Sequence, residues 1–340
     1  MDKADFPRDK VCAGWITPEV VAALQLDVSA YAGKHVFQPI TAIRTGLIDG
    51  RDLETRYADT VSYGIRRSEF DDYLLLRSGA RLRLGEGLTS MEQRGSRWIV
   101  NGSLSTPLIV GAGGHFCPVA RFLGARPGAA ESAVTAKETE FEMTPQQIDD
   151  CKVRPDTPEL YFSQDLKGYG WCFRKGRHLN IGLGREGHQG LSRELKHFFD
   201  FIRQRGRVPH DSPDDFHGHA YLMHGRTQRK LLDDGVLLVG DAAGLAYPQS
   251  GEGIRPAVES GLMAAASILE AGEDYRREKL ASYPARLTER FGKPAAPRKA
   301  FPEFLRPLLA RKLMDNRWFT RNVVLDRWFL HAHQAELQIG

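Results

Sequence analysis

The spacing of apolar and polar positions changes several times along the chain. From Val36 to Ile65, and again between Val134 and Gly184, β-branched residues alternate with polar ones, which predicts strands and hairpins. Apolar residues at three- and four-residue spacing predict helices over residues 16–27, 68–79, 118–124 and 192–205. The stretch from 81 to 110 is also predicted to form strands, and it ends in a buried strand before a glycine turn.

The clearest unit begins with the apolar run VLLVG, from Val236 to Gly240. A glycine-rich segment, DAAGLAYPQSGEGI, follows, and the long helical stretch RPAVESGLMAAASILEAG comes after it. Because such α/β segments alternate with mostly β segments, we predict an α/β protein with two domains interleaved in sequence. The first domain comprises residues 1–35, 66–130 and 228–290, the second comprises 36–65 and 131–227, and 291–340 form a C-terminal helical region.

Composition narrows the possible functions. Lys and Arg total 47 against 43 Asp and Glu, and a formal charge of +4 is too small to indicate a nucleic-acid-binding protein. No run approaches 18 apolar residues, and the first residues lack a signal-peptide core, so neither a membrane span nor secretion is predicted. Four cysteines without a CxxC pair, and three histidines of mixed spacing at 217, 219 and 224, disfavour a metal site. We therefore expect a cytoplasmic protein with no metal.

The strand and loop at residues 236–254 place chemically useful groups together. Asp241 directly follows the strand, where its carboxylate can accept a hydrogen bond from a sugar-like hydroxyl group. Gly251 and Gly253 allow the backbone to approach a flat ligand, since neither carries a Cβ atom. The helix that begins near Ile254 presents free N–H groups and the positive end of its dipole. The segment predicts a site for a ring that gains negative charge on reduction.

The same segment, VLLVGDAAGLAYPQSGEGIRPAVESG, resembles the second FAD-binding signature of the geranylgeranyl reductase family, which belongs to the para-hydroxybenzoate hydroxylase-like flavoproteins. In that family the aspartate holds the ribityl chain or the adjoining phosphate, the proline lies against the flavin, and the glycine turn faces the pyrimidine edge of the ring. The resemblance implies that the cofactor-binding residues here are Gly240, Asp241, Pro248, Gly251, Glu252, Gly253 and Ile254.

Four other stretches carry the resemblance. FPRDKVCAGWITP is similar to a segment in which a basic residue and a cysteine approach the cofactor; the matching residues are Arg8, Lys10, Cys12 and Gly14. RRSEFDDYLL resembles the family's Arg-x-x-Phe-Asp helix, and Arg67 matches the arginine near FAD. YGWCF resembles the core of a substrate-pocket motif, matched by Tyr169, Trp171 and Phe173. GAGGHF aligns with a Gly-Ala-Asp-Gly turn through Gly111 and Gly114, with Gly113 in place of the aspartate.

The chain also departs from the family pattern. It contains no GxGxxG motif, and Asp2 matches the acid that grips the adenosine ribose at the end of the family's second strand. The resemblance thus implies an FAD-binding Rossmann-like domain of the GR2 type that lacks its first βαβ unit. An interleaved, mostly antiparallel β substrate domain and a C-terminal helical tail complete the expected fold. Without that unit we expect weak FAD binding and marginal folding.

The resemblance implies an FAD-dependent oxidoreductase that reduces a carbon–carbon double bond of an apolar, isoprenoid-like substrate. NAD(P)H or an electron-donor protein is the expected reductant. The alternatives are a flavin monooxygenase or halogenase, and an inactive remnant that does not retain FAD. Cys12 is either a catalytic residue near the flavin or inert packing. Tyr169 and Trp171 either line a substrate channel or belong to the core. The C-terminal aromatic stripe is either a packed helical cap or a peripheral membrane contact. It consists of Phe304, Leu305, Leu308, Leu309, Leu313, Trp318, Phe319, Trp328 and Phe329.

Overall fold

A computed structural model describes residues 1–127, 133–187, 190–225, 229–293 and 306–338, with the side chains of 306–308 excepted. The strands are β1 (Trp15–Ile16), β2 (Phe37–Ile40), β3 (Ala42–Leu47), β4 (Asp52–Arg56), β5 (Ser62–Ile65), β6 (Met91–Arg94), β7 (Arg97–Val100), β8 (Leu104–Thr106), β9 (Ile109–Gly111), β10 (Ala133–Glu142), β11 (Glu159–Phe162), β12 (Gly168–Lys175), β13 (His178–Glu186), β14 (His217–Leu222), β15 (Leu232–Asp233) and β16 (Val236–Leu238). The helices are α1 (Pro18–Ala23), α2 (Val28–Ala32), α3 (Arg67–Arg77), α4 (Pro118–Phe122), α5 (Pro145–Asp150), α6 (Leu191–Gln204), α7 (Ile254–Ala271), α8 (Ser282–Phe291), α9 (Arg306–Met314) and α10 (Arg317–Phe319), and a π-helix (Thr320–Phe329) follows.

A seven-stranded sheet in the order β14-β10-β13-β12-β11-β3-β4 forms the largest layer. Its neighbours are antiparallel except for β11 and β3, which run parallel. Side chains on β12 alternate between the two faces, so Cys172 packs with Phe198 and Ile202 of α6, while Trp171 and Phe173 point to the opposite face. The apolar side of the candidate site is built on this second face.

A second, smaller sheet carries the strand–loop–helix unit predicted at 236–271. The strand order is β15-β16-β9, and β16 pairs in parallel with β9. The three residues of β16 are fully buried, and they pack with residues of α4, α7 and α8. This packing confirms the buried strand and the long helix. The strand predicted at 108–110 is found one residue later, and Val110 is 42% exposed because β9 is an edge strand of this sheet.

Two further three-stranded sheets complete the described elements. The sheet with the strand order β1-β5-β2 packs against α1, α2 and α3 through a core that includes Tyr31, Ile65 and Phe70. The sheet with the strand order β6-β7-β8 is attached to the turn between β15 and β16. There the indole N–H of Trp98 donates to the carbonyl of Asp234 at 3.0 Å. The first of these sheets brings the loop before β1 against the seven-stranded sheet.

Two local predictions are wrong. The helix predicted over 16–27 ends at Ala23 because Gln25 has a φ of +47°, and α2 begins separately where Asp27 accepts a hydrogen bond from the Ala30 N–H. Residues 81–88 were predicted as strand but contain none. There the backbone exchanges hydrogen bonds with Asp2, through Arg83 and Glu86, in place of a strand ladder.

The C-terminal segment packs on the seven-stranded sheet. Met314, Val324, Leu325 and Phe329 are buried in the same core as Trp171. Of the stripe, Phe329 belongs to this core and Phe319 and Trp328 pack against it, which supports the packed-cap interpretation for these three residues, whereas Leu309 is 38% and Trp318 68% exposed. Phe304 and Leu305 of the stripe, and the predicted domain boundaries at 130/131 and 227/228, lie outside the described residues. The division into two functional domains stays a prediction. Among the described helices, none has both the length and the apolarity needed to cross a membrane.

Candidate functional site

A cavity of about 390 Å³ lies between the seven-stranded sheet and the N-terminus of α7. Its walls come from the loop before β1, the start of α3, strands β12 and β14, the loop after β16, and Phe329 of the tail. The residues predicted from the sequence that line it are Lys10, Cys12, Gly14, Arg67, Gly114, Tyr169, Trp171, Phe173, Gly240, Asp241, Gly251, Glu252, Gly253 and Ile254. The structure therefore brings together fourteen residues that five separate stretches of sequence contribute.

Four predicted residues lie elsewhere. Asp2 accepts a hydrogen bond from the Ala4 N–H, away from the cavity wall. Arg8 is 3.6 Å from Asp71, and Gly111 ends β9 just before a residue that lines the cavity. Pro248 lines a second cavity of about 250 Å³. Roles for these four residues in cofactor binding stay predictions.

Asp241 occupies the cavity wall directly after β16. Its Oδ2 lies 3.8 Å from Nε2 of His219 on β14, and its side chain is only 16% exposed. Burial alone would raise the pKa of Asp241, but the His219 imidazole and the charges of Lys10 and Arg67 outweigh it and hold the pKa below its ordinary value. The lowered pKa favours the ionised carboxylate, which is the stronger hydrogen-bond acceptor.

The glycine turn before α7 is tightly packed. Gly251 has a φ of +71°, and a Cβ atom built on it would lie 2.2 Å from the hydroxyl oxygen of Tyr221. A Cβ atom on Gly253 would lie 3.1 Å from Oδ1 of Asp241. A side chain at 251 would collide with Tyr221, and one at 253 would crowd the Asp241 carboxylate. In the first turn of α7 the Arg255 N–H donates to Glu252 and Pro256 has no N–H, so Ile254 contributes the N–H that has no acceptor within the helix.

Two basic residues, Lys10 and Arg67, also line the cavity. Arg67 forms two 2.8 Å hydrogen bonds with Asp71, one turn further along α3. Burial would lower the pKa of Arg67, but the nearby Cys12 and Asp71 outweigh it and raise the pKa. Burial and the charge of Arg67 lower the pKa of Lys10, against smaller opposing effects that include the charge of Asp241. Cys12 lies among these groups, and its Sγ accepts a 3.4 Å hydrogen bond from the Gly14 N–H.

Sequence reasoning missed a buried polar group beneath this loop. The Cys12 N–H donates to Oε1 of Glu138, and the Cys12 carbonyl accepts from Asn180 at 3.3 Å. Lys175 pairs with Glu140 and donates to the Ala13 carbonyl at 3.1 Å. These side chains come from β10, β12 and β13 and fix the loop on the sheet. The sequence did contain one signal of this group: Lys175 falls on the same face of β12 as the apolar residues Trp171 and Phe173.

Tyr169 and Tyr221 separate the two cavities, since both residues line both spaces. The Tyr169 hydroxyl donates to the Ser250 carbonyl at 2.5 Å, which ties β12 to the glycine loop. Trp171 is buried and donates to Asn180 at 2.7 Å, so it serves both the core and the cavity wall. The second cavity has an apolar part, formed by Phe162, Leu313, Met314, Phe319 and Trp328, and a charged part, formed by Lys167, Arg185 and Glu186.

Comparisons with known proteins identify relatives for most of the chain. No protein-family model matches it. A digeranylgeranylglycerophospholipid reductase of Methanococcus vannielii is 27% identical over 258 residues, which cover 71% of this chain and 64% of that protein. A menaquinone reductase of Mycobacterium tuberculosis is 28% identical over 319 residues, which cover 86% of this chain and 74% of that protein.

The fold is also found in solved structures. A geranylgeranyl bacteriochlorophyll reductase-like protein of Thermoplasma acidophilum superposes with a TM-score of 0.67 at 19% identity, over 91% of this chain and 80% of that one. At this identity the similarity shows the shared α/β fold alone. It agrees with the fold class predicted from the sequence, while the absence of a first βαβ unit stays a prediction.

Proposed function

Because this chain belongs to the geranylgeranyl reductase family of FAD-dependent oxidoreductases, we propose that it binds FAD in the 390 Å³ cavity and reduces a carbon–carbon double bond of an apolar, isoprenoid-like substrate. The matched region spans only 64% of the length of the first curated relative. The reductase activity of this chain is therefore a proposal. The volume falls in the range of small-molecule sites, roughly 300–1,000 Å³.

One observation carries the proposal. An ionised carboxylate, a turn that side chains would fill and the N-terminus of an 18-residue helix meet at one edge of the cavity. An acceptor for sugar hydroxyl groups and donors for an electron-rich ring edge are the two requirements of a ribityl-isoalloxazine. Asp241 would hold the ribityl chain, and Gly251 to Ile254 would face the pyrimidine edge. Lys10 and Arg67 would supply positive charge within the same cavity.

FAD, when bound, would supply hydride transfer to the substrate. The protein's own contribution is position, exclusion of water and placement of protons. Aromatic side chains on β12 and Phe329 of the tail form an apolar wall that suits a hydrocarbon substrate. Cys12, which lines the same cavity, is the candidate proton donor, and the packing alternative for its thiol stays open. NAD(P)H or an electron-carrier protein is the proposed reductant.

The first test is whether the purified chain binds FAD. Titration with FAD, followed by flavin absorbance and by quenching of flavin fluorescence, should give a saturable complex. Anaerobic reduction of that complex, followed by addition of a geranylgeranyl lipid or a menaquinone, should reoxidise the flavin and yield a product two hydrogens heavier. A colourless protein that free FAD cannot reconstitute would support the inactive alternative. Reoxidation that requires oxygen would support a monooxygenase.

A further inference from the structure

Two titratable side chains face each other behind the glycine turn, and neither has been given a role in proton transfer above. Glu252 lines the cavity, and its Oε2 lies 3.6 Å from Nε2 of His331, in the tail after the π-helix. Both atoms are buried, and neither has a hydrogen-bond partner among the described residues. The other carboxylate oxygen, Oε1, accepts the N–H of Arg255 at 2.8 Å in the first turn of α7.

The pair is held in place from both sides. His331 is 8% exposed and stacks on Tyr247, with ring centroids 3.8 Å apart. The tail continues to Gln334, which accepts a hydrogen bond from the Tyr247 hydroxyl at 2.5 Å. Arg255 is fully buried and forms an ion pair with Glu259 at 2.9 Å. These contacts hold the two side chains in position inside the protein.

The charged and titratable groups around Glu252 come from five elements. They are Arg255 and Glu259 on α7, Glu19 on α1, His331 in the tail, Tyr247 in the loop after β16, and Tyr169 on β12. Burial raises the pKa of Glu252 to about 7, against the opposing effects of the Arg255 N–H and charge, and the carboxylates of Glu259 and Glu19 add to the increase. Burial and the charge of Arg255 lower the pKa of His331 to about 4. Near neutral pH His331 is therefore a neutral acceptor that faces a carboxyl group close to its titration point.

We propose that Glu252 is a positioning residue that binds one proton when the bound flavin is reduced, with His331 as the acceptor that orients the carboxyl group. The inference rests on the proposed function, because it requires the flavin ring at the turn formed by Gly251 and Gly253. A hydride from a reduced nicotinamide brings two electrons and one proton, so the ring gains one negative charge. That charge beside Glu252 favours the neutral acid, and uptake of one proton from solvent leaves the site with no net gain of charge.

The pH dependence of the flavin midpoint potential tests this coupling, because its slope gives the number of protons taken up per two electrons. Below pH 7 Glu252 already carries its proton, so the wild-type complex should take up one proton for every two electrons that reduce the flavin. Above pH 7 the oxidised complex has an ionised Glu252, and uptake should rise towards two. A flavin acting alone takes up the same number of protons or fewer as the pH rises, so an increase is diagnostic.

Glu252→Gln removes the titration but keeps an amide oxygen for the Arg255 N–H, and its proton uptake should stay at one. Glu270→Gln is the matched control, since Glu270 lies near the other end of the same helix with a 50% exposed side chain, and it should behave like the wild type. In the wild type, the reduced-minus-oxidised infrared spectrum at pH 8 should show a protonated carboxyl band that Glu252→Gln lacks.

A wild-type uptake that stays constant from pH 6 to 8.5 would overturn the inference, as would an unchanged increase in Glu252→Gln. In either case the flavin is bound, so the proposed function survives. A chain that binds no FAD at saturating concentration would contradict the proposed function and this inference together. If Glu252→Gln lost its flavin, the wild-type slope and infrared band would still decide the question.

Discussion

The backbone N–H of Cys12 donates to Oε1 of Glu138, which lies 126 residues further along the chain on β10. The carboxyl group is 5% exposed, and its Oε2 has no hydrogen-bond partner among the described residues. A short loop with no regular structure thus depends on a side chain of the sheet for its backbone hydrogen bond. Together with the hydrogen bonds from Asn180 and Lys175 to the carbonyls of Cys12 and Ala13, this contact fixes the loop in the cavity wall.

Glu138→Ala should destabilise the protein and loosen this loop. The variant leaves the Cys12 N–H without its buried acceptor, which costs about 1–3 kcal/mol, and the lost side-chain volume adds to that cost. Glu138→Gln keeps an acceptor oxygen and should cost less. Urea unfolding measures the difference. Glu142→Ala is the control on the same strand, because its side chain is 57% exposed, and it should change stability by no more than about 0.5 kcal/mol.

The same carboxyl group should make stability depend on pH. Burial raises the pKa of Glu138 to about 7 from 4.5, despite the Cys12 N–H and the charge of Lys175. The pKa of Glu138 is higher in the folded than in the unfolded protein, so its protonated form stabilises the fold. This contribution is complete below pH 4.5 and is lost as the pH rises through 7. Between pH 5 and 8 the unfolding free energy of the wild type should fall by about 2–3 kcal/mol relative to Glu138→Gln. Parallel curves for the two proteins would show that Glu138 is ionised throughout.

A buried ion pair next to this contact should behave as a unit. Lys175 is 1% exposed, pairs with Glu140 and donates to the Ala13 and Ile65 carbonyls. Lys175→Met leaves Arg66, 3.2 Å away, as the remaining cation beside Glu140, so the variant should cost less than the roughly 3–5 kcal/mol of a fully uncompensated buried charge. Adding Glu140→Gln should restore part of the loss, and a double-mutant cycle measures the coupling. Additive effects would mean that the two charges do not interact. Lys137→Met on β10, whose amine reaches only Ser192 at the surface, should be nearly neutral.

Local sequence patterns were sufficient to predict those strands and helices whose own residues show which face is buried. The run Val236–Leu238 is apolar throughout, and the helix Ile254–Ala271 follows a glycine turn, so both could be predicted. The period of two on β12 likewise explains why Tyr169 and Trp171 share a face. Residues 81–88 have the same alternation but form no strand, because strand formation needs a partner that the sequence pattern does not specify.

The buried charges could not be predicted in the same way. On β10, Glu138 and Glu140 alternate with other residues as solvent-facing charges do on a half-exposed strand. Glu138 is buried and the Glu140 side chain is only 20% exposed because the loop at Cys12 covers this part of β10, which is a contact between distant parts of the chain. His331 belongs to no motif, and its position against Glu252 depends on how the tail packs. Tertiary contact, not local preference, determines both cases.

Asp241→Ala should weaken FAD binding. The variant removes the charge-assisted hydrogen bond proposed for the ribityl chain, which is worth about 1–3 kcal/mol, or roughly 5- to 150-fold in the dissociation constant. Fluorescence titration with FAD measures the change. Asp59→Ala is the control, because Asp59 lies in an exposed turn outside both cavities. Equal affinities for all three proteins would place the cofactor away from this carboxylate.

Gly251→Ala should disrupt the turn for two separable reasons. The φ of +71° is strained for alanine, and the new Cβ atom would lie 2.2 Å from the Tyr221 hydroxyl oxygen and 3.0 Å from the ring carbon that carries it. Gly95→Ala isolates the first effect, since Gly95 has a φ of +61° and no atom within 4 Å of its Cβ position.

We expect Gly95→Ala to cost about 1 kcal/mol and to leave FAD binding unchanged. Gly251→Ala should cost about 1–3 kcal/mol more and should weaken FAD binding, because the turn must shift away from Tyr221. Combining it with Tyr221→Phe removes the closest atom and should recover part of the stability, but not all of it, since the ring remains. Thermal unfolding and FAD titration of the four proteins measure both quantities. Equal losses for the two glycine variants would show that strain, and not the contact with Tyr221, requires glycine at 251.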